Sequence, residues 1–293
     1  MSGKTVALVL GSGGARGMAH IGVINWLEAN GYIIRSVAGA SMGALVGGIY
    51  TAGKLPEFTH WLQALTRSDI VTLLDFSFGR TGLFKGEKII DALRALIGTH
   101  QIEDLPISFT AVATDVELGK EVWFNKGPLF DAVRASIAVP MFFTPVEYKG
   151  RMLLDGGLVN PVPIAPTFGD DTDMTIAVNL GGAYDPDLNM AEPTSDIANS
   201  IEQYHKRIKS FLAGLQDKSD SVQEKDWGLF DTLNLSFETM QGTIARMKLA
   251  AYAPDHIIEV PRNVCRSLEY DRADEIIAYG ENRAAEVLSH LQG

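Results

Sequence analysis

Two glycine-rich stretches near the start of the chain decide the fold: Gly11-Ser-Gly-Gly-Ala-Arg-Gly17 and Gly39-Ala-Ser-Met-Gly43. Each follows an apolar run typical of a strand buried on both faces, at residues 5–10 and 33–38. A helix follows each stretch, and the first helix is expected to end at Asn30-Gly31, where glycine adopts a positive φ at little cost. This strand–helix–strand–helix order predicts a parallel sheet with right-handed connections.

The middle of the chain continues with strands and helices. Apolar residues at helical spacing predict a helix over residues 89–97, which Gly98 ends. Four further strands are predicted at residues 107–113, 121–124, 152–154 and 175–180. The strand at 121–124 is expected to return as the hairpin partner of the strand at 107–113.

After residue 182 the sequence changes to amphipathic helices. Apolar residues recur at helical spacing over 197–215 and 233–247, and a polar stretch at 216–228 separates them. A short strand at 257–260 and a helix at 271–291 close the chain. We predict one domain over residues 1–293, with a motif-bearing core at 5–182 and a C-terminal helical extension at 183–293.

The composition excludes several classes of protein. Of 293 residues, 46% are apolar and 21% charged, which rules out a globally disordered chain. Since 25 Lys and Arg face 36 Asp and Glu, the formal net charge of −11 argues against binding nucleic acid and against long-range attraction to an anionic membrane. The single cysteine, Cys265, cannot form an internal disulfide or a Cys-rich zinc site. The first apolar run is too short for a signal-peptide core, so we expect a cytoplasmic protein.

An uncharged segment at residues 36–53 carries Gly39, Gly43 and Gly47 at the spacing of membrane helix dimers. A membrane-spanning helix needs about 20 predominantly apolar residues, whereas this segment is rich in Gly, Ser and Thr. We therefore expect a buried helix whose small residues let it cross a sheet closely.

The stretch at 39–43 fits the pattern G-x-S-x-G and places Ser41 between a strand and a helix. A nucleophile on such a sharp turn needs small neighbours, because the backbone there is strained and crowded. The helix that begins beside Ser41 also favours the negative charge of a developing alkoxide. Ser41 is the candidate nucleophile; the alternative is a chance match in a chain with 29 glycines.

The glycines at 11–17 also suggest a loop for phosphates or dinucleotides, but the details disagree. The pattern G-x-G-x-x-G requires glycine where this chain has Arg16, and the second strand ends in Ala38-Gly39 instead of an acidic residue. No Gly-Lys-Ser/Thr follows, so a P-loop is excluded. The remaining use is a loop whose N–H groups bind the oxyanion of a tetrahedral intermediate. Arg16 either fixes this loop or adds positive charge to it.

A nucleophilic serine needs a base, and the sequence offers several. Among the histidines, His256 is the best placed, just before a strand, while His20 is more typical of a packing or hydrogen-bonding residue. Asp155 follows a short strand and precedes two glycines, and Asp115 has a similar place after another strand. Because parallel sheets collect their sites at the carboxyl ends of strands, either carboxylate is a candidate to lie beside Ser41.

The three motifs GSGGARG, GASMG and Asp155-Gly-Gly157, in this order, resemble those of the patatin-like phospholipases, in particular compact bacterial members. The resemblance covers residues 6–162 and includes the stretch at 135–146. It implies an α/β protein with a three-layer α/β/α fold and a mainly parallel central sheet. It also implies a Ser–Asp dyad, without histidine, that hydrolyses acyl esters of lipids. Carried over to this chain, Ser41 is the nucleophile and Asp155 its base.

The same resemblance implies that Gly13, Gly14 and Ala15 supply the N–H groups of an oxyanion hole, with Arg16 beside them. It implies a lipid or other ester substrate, a phospholipid or a lysophospholipid, and neither a metal nor another cofactor. The alternative function is a non-enzymatic lipid-binding or regulatory scaffold.

Two segments bear on how such a substrate is reached. Residues 70–84 are apolar and aromatic, and they form either a mobile flap over acyl chains or an ordinary part of the core. The polar side of the helix at 197–215 either makes a transient contact with a membrane surface or is a solvated helix face. It carries a cluster of four residues: His205, Lys206, Arg207 and Lys209.

Overall fold

The fold is built on one eight-stranded sheet. The computed structural model describes residues 3–73, 84–188 and 229–292. The strands are β1 Thr5–Leu10, β2 Ile33–Ala40, β3 Ser108–Asp115, β4 Lys120–Phe124, β5 Val146–Tyr148, β6 Arg151–Asp155, β7 Met174–Gly182 and β8 His256–Pro261. Hydrogen-bonded neighbours follow the order β5-β6-β3-β2-β1-β7-β8. In this order β2 and β6 pair with successive parts of one edge of β3, and β4 pairs with its other edge.

The sheet is mainly parallel, with antiparallel strands beside the end of β3. Strand β1 pairs in parallel with both β2 and β7, and β2 pairs in parallel with β3, as the order of elements predicts. Strand β4 returns as the antiparallel hairpin partner of β3. Strand β6 pairs antiparallel with the last three residues of β3, and β5 pairs antiparallel with β6.

The described helices lie on both faces of this sheet. Helix α1 ends before Gly31 and α5 ends before Gly98, and both glycines have positive φ, as predicted. The helices are α1 Ala19–Ala29, α2 Met42–Thr51, α3 Leu55–Ala64, α4 Arg67–Leu73, α5 Glu87–Ile97, α6 Leu129–Ser136, α7 Leu229–Ala251 and α8 Ala273–Leu288.

Alternate residues of the central strands face two separate cores. In β1, Val6 and Leu8 face the larger core, to which α1, α2 and α8 contribute. Val9 faces a smaller core on the other side, together with Ala245 and Leu249 of α7. A sheet covered by helices on both faces is a three-layer α/β/α arrangement, as the sequence resemblance implies.

The uncharged segment forms α2, and every residue of this helix is buried, between the sheet and neighbouring helices. The expectation of a buried helix is therefore confirmed. Among the described residues, none of the helices combines the length and the apolar character that crossing a bilayer requires.

The chain after residue 182 contributes to the same sheet. Strand β8 pairs in parallel with β7, and α8 packs against α1; these are the strand and helix predicted near the end of the chain. The division of the domain at residue 183 stays a prediction. The predicted helix at 197–215 and the polar stretch at 216–228 lie outside the described residues.

Candidate active site

Ser41 lies at a strained turn between β2 and α2. Its φ of 55° and ψ of −124° fall in a region that costs a non-glycine residue about 1–3 kcal/mol. Both glycines of the motif are required by close approach: a Cβ on Gly39 would collide with the carbonyl of Gly43, and a Cβ on Gly43 with the carbonyl of Leu10. The crowding that the sequence predicts around Ser41 is present.

A buried hydroxyl on α6 holds this turn to the sheet. The N–H of Ser41 donates to Oγ of Ser136 at 2.9 Å, and that hydroxyl donates to the carbonyl of Val112 in β3 at 2.6 Å. Ser136 therefore fixes the backbone of Ser41 relative to β3. No motif in the sequence distinguishes Ser136, although it lies within the stretch at 135–146 that carries part of the resemblance.

Asp155 approaches Ser41 from the opposite direction. Ala40, the last residue of β2, pairs with Val112 of β3, and Asp155, the last residue of β6, pairs with Ala113. Because β4 occupies the other edge of β3, β2 and β6 share one edge and meet end to end. The sequence predicts that Ser41 and Asp155 both lie at the carboxyl ends of parallel strands. This reason is wrong for Asp155, because β6 runs antiparallel to β3.

The carboxyl group of Asp155 is completely buried. Burial raises its pKa to about 7, and hydrogen bonding to the Ser41 hydroxyl and the Gly157 N–H opposes the increase. Oδ1 accepts the N–H of Gly157 at 2.7 Å, while Oδ2 has no hydrogen bond of regular geometry among the described residues. Near neutral pH this carboxyl group is poised between its two protonation states, as a general base requires.

The loop before α1 presents N–H groups to the same region. Gly14 has a φ of 57°, which favours glycine, and it begins the short turn Gly14–Met18. Within the described chain, the N–H groups of Gly13 and Gly14 have no hydrogen-bond acceptor. The N–H of Ala15, however, donates to the carbonyl of Ser267 at 2.9 Å. This contact argues against the oxyanion role predicted for Ala15, because its N–H already has an acceptor.

Arg16 fixes this loop. Its Nε donates to the carbonyl of Gly13 at 3.0 Å and its Nη1 to the carbonyl of Arg262 at 2.7 Å. Its Nη2 forms an ion pair with Glu238 at 3.1 Å, and Glu238 also accepts the hydroxyl of Ser267 at 2.7 Å. Of the two roles that the sequence leaves open for Arg16, the geometry favours that of fixing the loop.

Asp115, the other candidate carboxylate, stabilises the turn that follows it. Oδ1 accepts the N–H groups of Glu117 and Leu118 at 3.1 and 3.0 Å. Oδ2 lies 3.6 Å from the guanidinium of Arg151. These contacts connect Asp115 to the turn between β3 and β4 and to β6, so it is the less suitable partner for Ser41.

The two histidines considered as candidates have other places. His256 lies at the amino end of β8, at the opposite end of the sheet from Ser41, and its ring packs against His290. His20 is fully buried, its Nε2 is 2.8 Å from the carbonyl oxygen of Gly11, and burial lowers its pKa to about 4. His20 is therefore a neutral residue of α1 that forms a hydrogen bond with the glycine loop, as the prediction of a packing or hydrogen-bonding role expects.

Ser41 borders an apolar cavity of about 130 Å³. This volume accommodates several water-sized groups. The wall offers few hydrogen-bonding partners and therefore suits a hydrocarbon chain. Its apolar side chains include Leu45, Phe58, Trp61, Leu93, Ile137 and Phe237.

The described ends of the predicted flap belong to this wall. Ile70 and Leu73 line the cavity, and Phe84 pairs with Phe143, another lining residue. These contacts favour core packing for the two ends. Three aromatic or apolar residues of the predicted flap lie outside the described residues, as do the four of the polar helix face: Phe76, Phe78, Leu83, His205, Lys206, Arg207 and Lys209.

Comparison with known proteins assigns the chain to a family. The sequence model of the patatin-like phospholipases matches residues 8–168, which include Ser41 and Asp155. Uncharacterized NTE family proteins of Mycobacterium tuberculosis and Mycobacterium bovis are 41% identical over 335 aligned positions, which cover 99% of this chain and 93% of each relative. Patatin-like phospholipase domain-containing protein 6 of Homo sapiens is 33% identical over 198 positions, which cover 64% of this chain and 14% of that protein.

A solved structure supports the fold at lower sequence identity. VipD from Legionella pneumophila superposes with a TM-score of 0.51 and 15% identity, over 99% of this chain and 67% of that one. This likeness concerns the fold alone, whereas the family match and the mycobacterial relatives establish kinship. The chain belongs to the patatin-like phospholipase family, whose members are generally lipid acyl hydrolases.

Proposed function

We propose that this protein is a serine acyl hydrolase that cleaves carboxylic ester bonds of phospholipids or lysophospholipids through a Ser41–Asp155 dyad. One observation carries the proposal: a strained, buried serine meets a carboxyl group whose pKa is raised to about 7, beside an apolar cavity. An ordinary aspartate, with a pKa of about 3.9, is a weak base. The raised pKa makes Asp155 a stronger one.

The proposed reaction is acyl transfer in two steps. Asp155 takes the hydroxyl proton while Oγ of Ser41 attacks the ester carbonyl carbon. The N–H groups of Gly13 and Gly14 and the amino end of α2 stabilise the oxyanion. The ester C–O bond then breaks, and Asp155 protonates the leaving alcohol. Water, deprotonated by Asp155, then attacks the acyl-enzyme, the bond between the acyl group and Ser41 Oγ breaks, and Asp155 returns the proton to Oγ as the fatty acid leaves.

Other residues of the site support these steps without touching the reacting atoms. Ser136 positions the Ser41 backbone, and Arg16 positions the glycine loop. The apolar cavity takes the acyl chain. A cytoplasmic enzyme acting on lipids needs a transient contact with a membrane surface; both the location and the contact remain predictions.

Labelling and turnover test the proposal together. A fluorophosphonate probe should label Ser41, and Ser41→Ala should reduce hydrolysis of short p-nitrophenyl esters to background. The control is Ser108→Ala, an exposed serine at the amino end of β3, which should keep both labelling and turnover. Lipid binding without turnover of any ester class would contradict the hydrolase and favour the alternative, a non-enzymatic lipid-binding or regulatory scaffold.

A further inference from the structure

A second groove, of about 440 Å³ and with a mixed polar and apolar lining, lies beside the apolar cavity. The carboxyl ends of β7 and β8 form one side of it and α7 the other, and most of its lining residues lie after residue 168, outside the matched family segment. Ser12, Arg16, Glu238 and Gln241 line both spaces. The Gln241 amide donates to the Ser12 hydroxyl at 3.2 Å, so a single wall of side chains separates the groove from the cavity.

Two arginines in the groove have no carboxylate partner in the described part of the chain. Arg246 of α7 donates to the hydroxyl of Thr243 at 3.1 Å. Arg262, directly after β8, lies over the ring of Tyr184, with 6.0 Å from its guanidinium carbon to the ring centroid. Both arginines line the groove, one from each side, and their exposed side chains keep most of their N–H donors for a ligand.

The carboxylates of the groove, by contrast, already have donors. Glu238 is paired with Arg16 and accepts the hydroxyl of Ser267. Glu259 accepts the side-chain amide of Asn179 at 3.3 Å. The described lining thus carries three guanidinium groups against two carboxylates, within a chain whose net charge is −11. This local excess of positive charge favours an anionic ligand.

We propose that the groove binds the phosphate group of the lipid ester, with Arg246 and Arg262 as the cationic contacts. The inference rests on the proposed hydrolase function, since the acyl chain then occupies the apolar cavity and the headgroup crosses the shared wall. Guanidinium groups form paired, charge-assisted hydrogen bonds with phosphate oxygens. A phosphate monoester carries close to two negative charges near neutral pH, whereas a phosphocholine diester has no net charge, because its quaternary ammonium offsets the phosphate. The groove therefore selects esters that end in phosphate over neutral and phosphocholine esters.

Three substrates with the same acyl chain test this selection: a monoacylglycerol, its phosphate monoester and its phosphocholine diester. The wild-type kcat/KM should be highest for the phosphate monoester. The double variant Arg246→Gln/Arg262→Gln should lower the ratio of kcat/KM between the phosphate monoester and the monoacylglycerol by roughly tenfold or more. The control Arg35→Gln/Lys126→Gln removes two exposed charges that do not line the groove and should preserve the ratio.

These outcomes separate the groove from the hydrolase. Two results would overturn the groove assignment and leave the hydrolase in place. One is hydrolysis with the same ratio of kcat/KM between phosphate monoester and monoacylglycerol in wild type and in the arginine double variant. The other is a wild-type preference for the phosphocholine ester. Calorimetry with a non-hydrolysable ether analogue of the phosphate monoester covers the opposite case. If no ester is turned over but the analogue binds wild type at least tenfold more tightly than the double variant, the groove stands and the hydrolase fails. Inorganic phosphate that binds as tightly as the analogue would overturn the lipid assignment in favour of a free-phosphate site.

Discussion

Asp155 and Asp115 end neighbouring strands and are equally buried, yet their surroundings differ. Each is at most 1% exposed. Asp115 accepts two backbone N–H groups and lies beside Arg151. Asp155 accepts one backbone N–H and has no cation paired with it among the described residues. Since partners that favour the charged form offset the cost of burial, the number of partners, not the depth of burial, distinguishes the proposed base, Asp155, from the structural carboxylate of Asp115.

Replacing each aspartate by asparagine is the test with the largest expected difference between the two residues. Asp155→Asn should lower kcat on short p-nitrophenyl esters by roughly 10²–10⁴-fold, the range for loss of a general base. Asp115→Asn should leave kcat close to the wild-type value, because the amide oxygen still accepts the N–H groups of the turn. Steady-state kinetics on folded variants measure both. Near-wild-type turnover in Asp155→Asn would transfer the base role to Asp115 or to a histidine.

The same two variants should also differ in how their free energy of unfolding depends on pH. The pKa of Asp155 is about 7 in the folded protein and about 3.9 in an unfolded chain, so the folded protein binds this proton more tightly. Its contribution to the free energy of unfolding is complete below pH 4 and is lost as the pH rises to about 7. Asp155→Asn should therefore be more stable than wild type at pH 8, by up to about 4 kcal/mol, and similar to it at pH 4.

Denaturant unfolding at the two pH values measures this difference, with Asp115→Asn as the control. Asp115→Asn should be slightly less stable than wild type at pH 8, because it loses a pair with a partly exposed Arg151 worth about 1 kcal/mol or less. A stability difference between Asp155→Asn and wild type that does not change with pH would contradict the raised pKa.

The titration of Asp155 should also affect the kinetics. Because only the ionised carboxylate can accept the Ser41 proton, wild-type kcat/KM should rise as the pH increases through about 7.

The fold is predictable from sequence where the signal is local. Strand β1, helix α1 and its end at Gly31, and strand β2 follow from apolar runs and glycines within about 35 residues. The direction of β6 does not, because its partner strand lies some 40 positions earlier and its own five residues do not encode a direction. The sequence therefore predicts that a strand precedes Asp155 but not that this strand meets β2 end to end.

The candidate site shows the same limit. The motifs predict Ser41 and the glycine loop, and the family resemblance predicts Asp155. They do not reveal that the carbonyl of Ser267 occupies the N–H of Ala15, because that carbonyl comes from a distant segment without a motif. Ser136 contacts Ser41 across 95 positions. Its only sequence signal is membership of a stretch that carries the family resemblance.

Ser136 sharpens the comparison of the two aspartates, because it fixes the backbone of Ser41 close to the residue with which Asp155 pairs. Its hydroxyl links the Ser41 N–H to Val112, next to the residue with which Asp155 pairs. Ser136→Ala leaves the buried Ser41 N–H without its acceptor, so we expect a loss of about 1–3 kcal/mol in the free energy of unfolding. A small displacement of Ser41 should also lower kcat, by roughly tenfold to 10²-fold, with less change in KM.

The matched control for this prediction is Ser36→Ala. Ser36 is also a buried serine, but its Oγ has no hydrogen-bond partner among the described residues, so its removal should be nearly neutral for stability and turnover. Kinetics well below the unfolding temperature distinguish positioning from a general loss of stability. A Ser136→Ala variant that loses stability but keeps the wild-type kcat would make Ser136 a structural residue only. The distance between nucleophile and base would then be set by the pairing of β2 and β6 with β3, without help from α6.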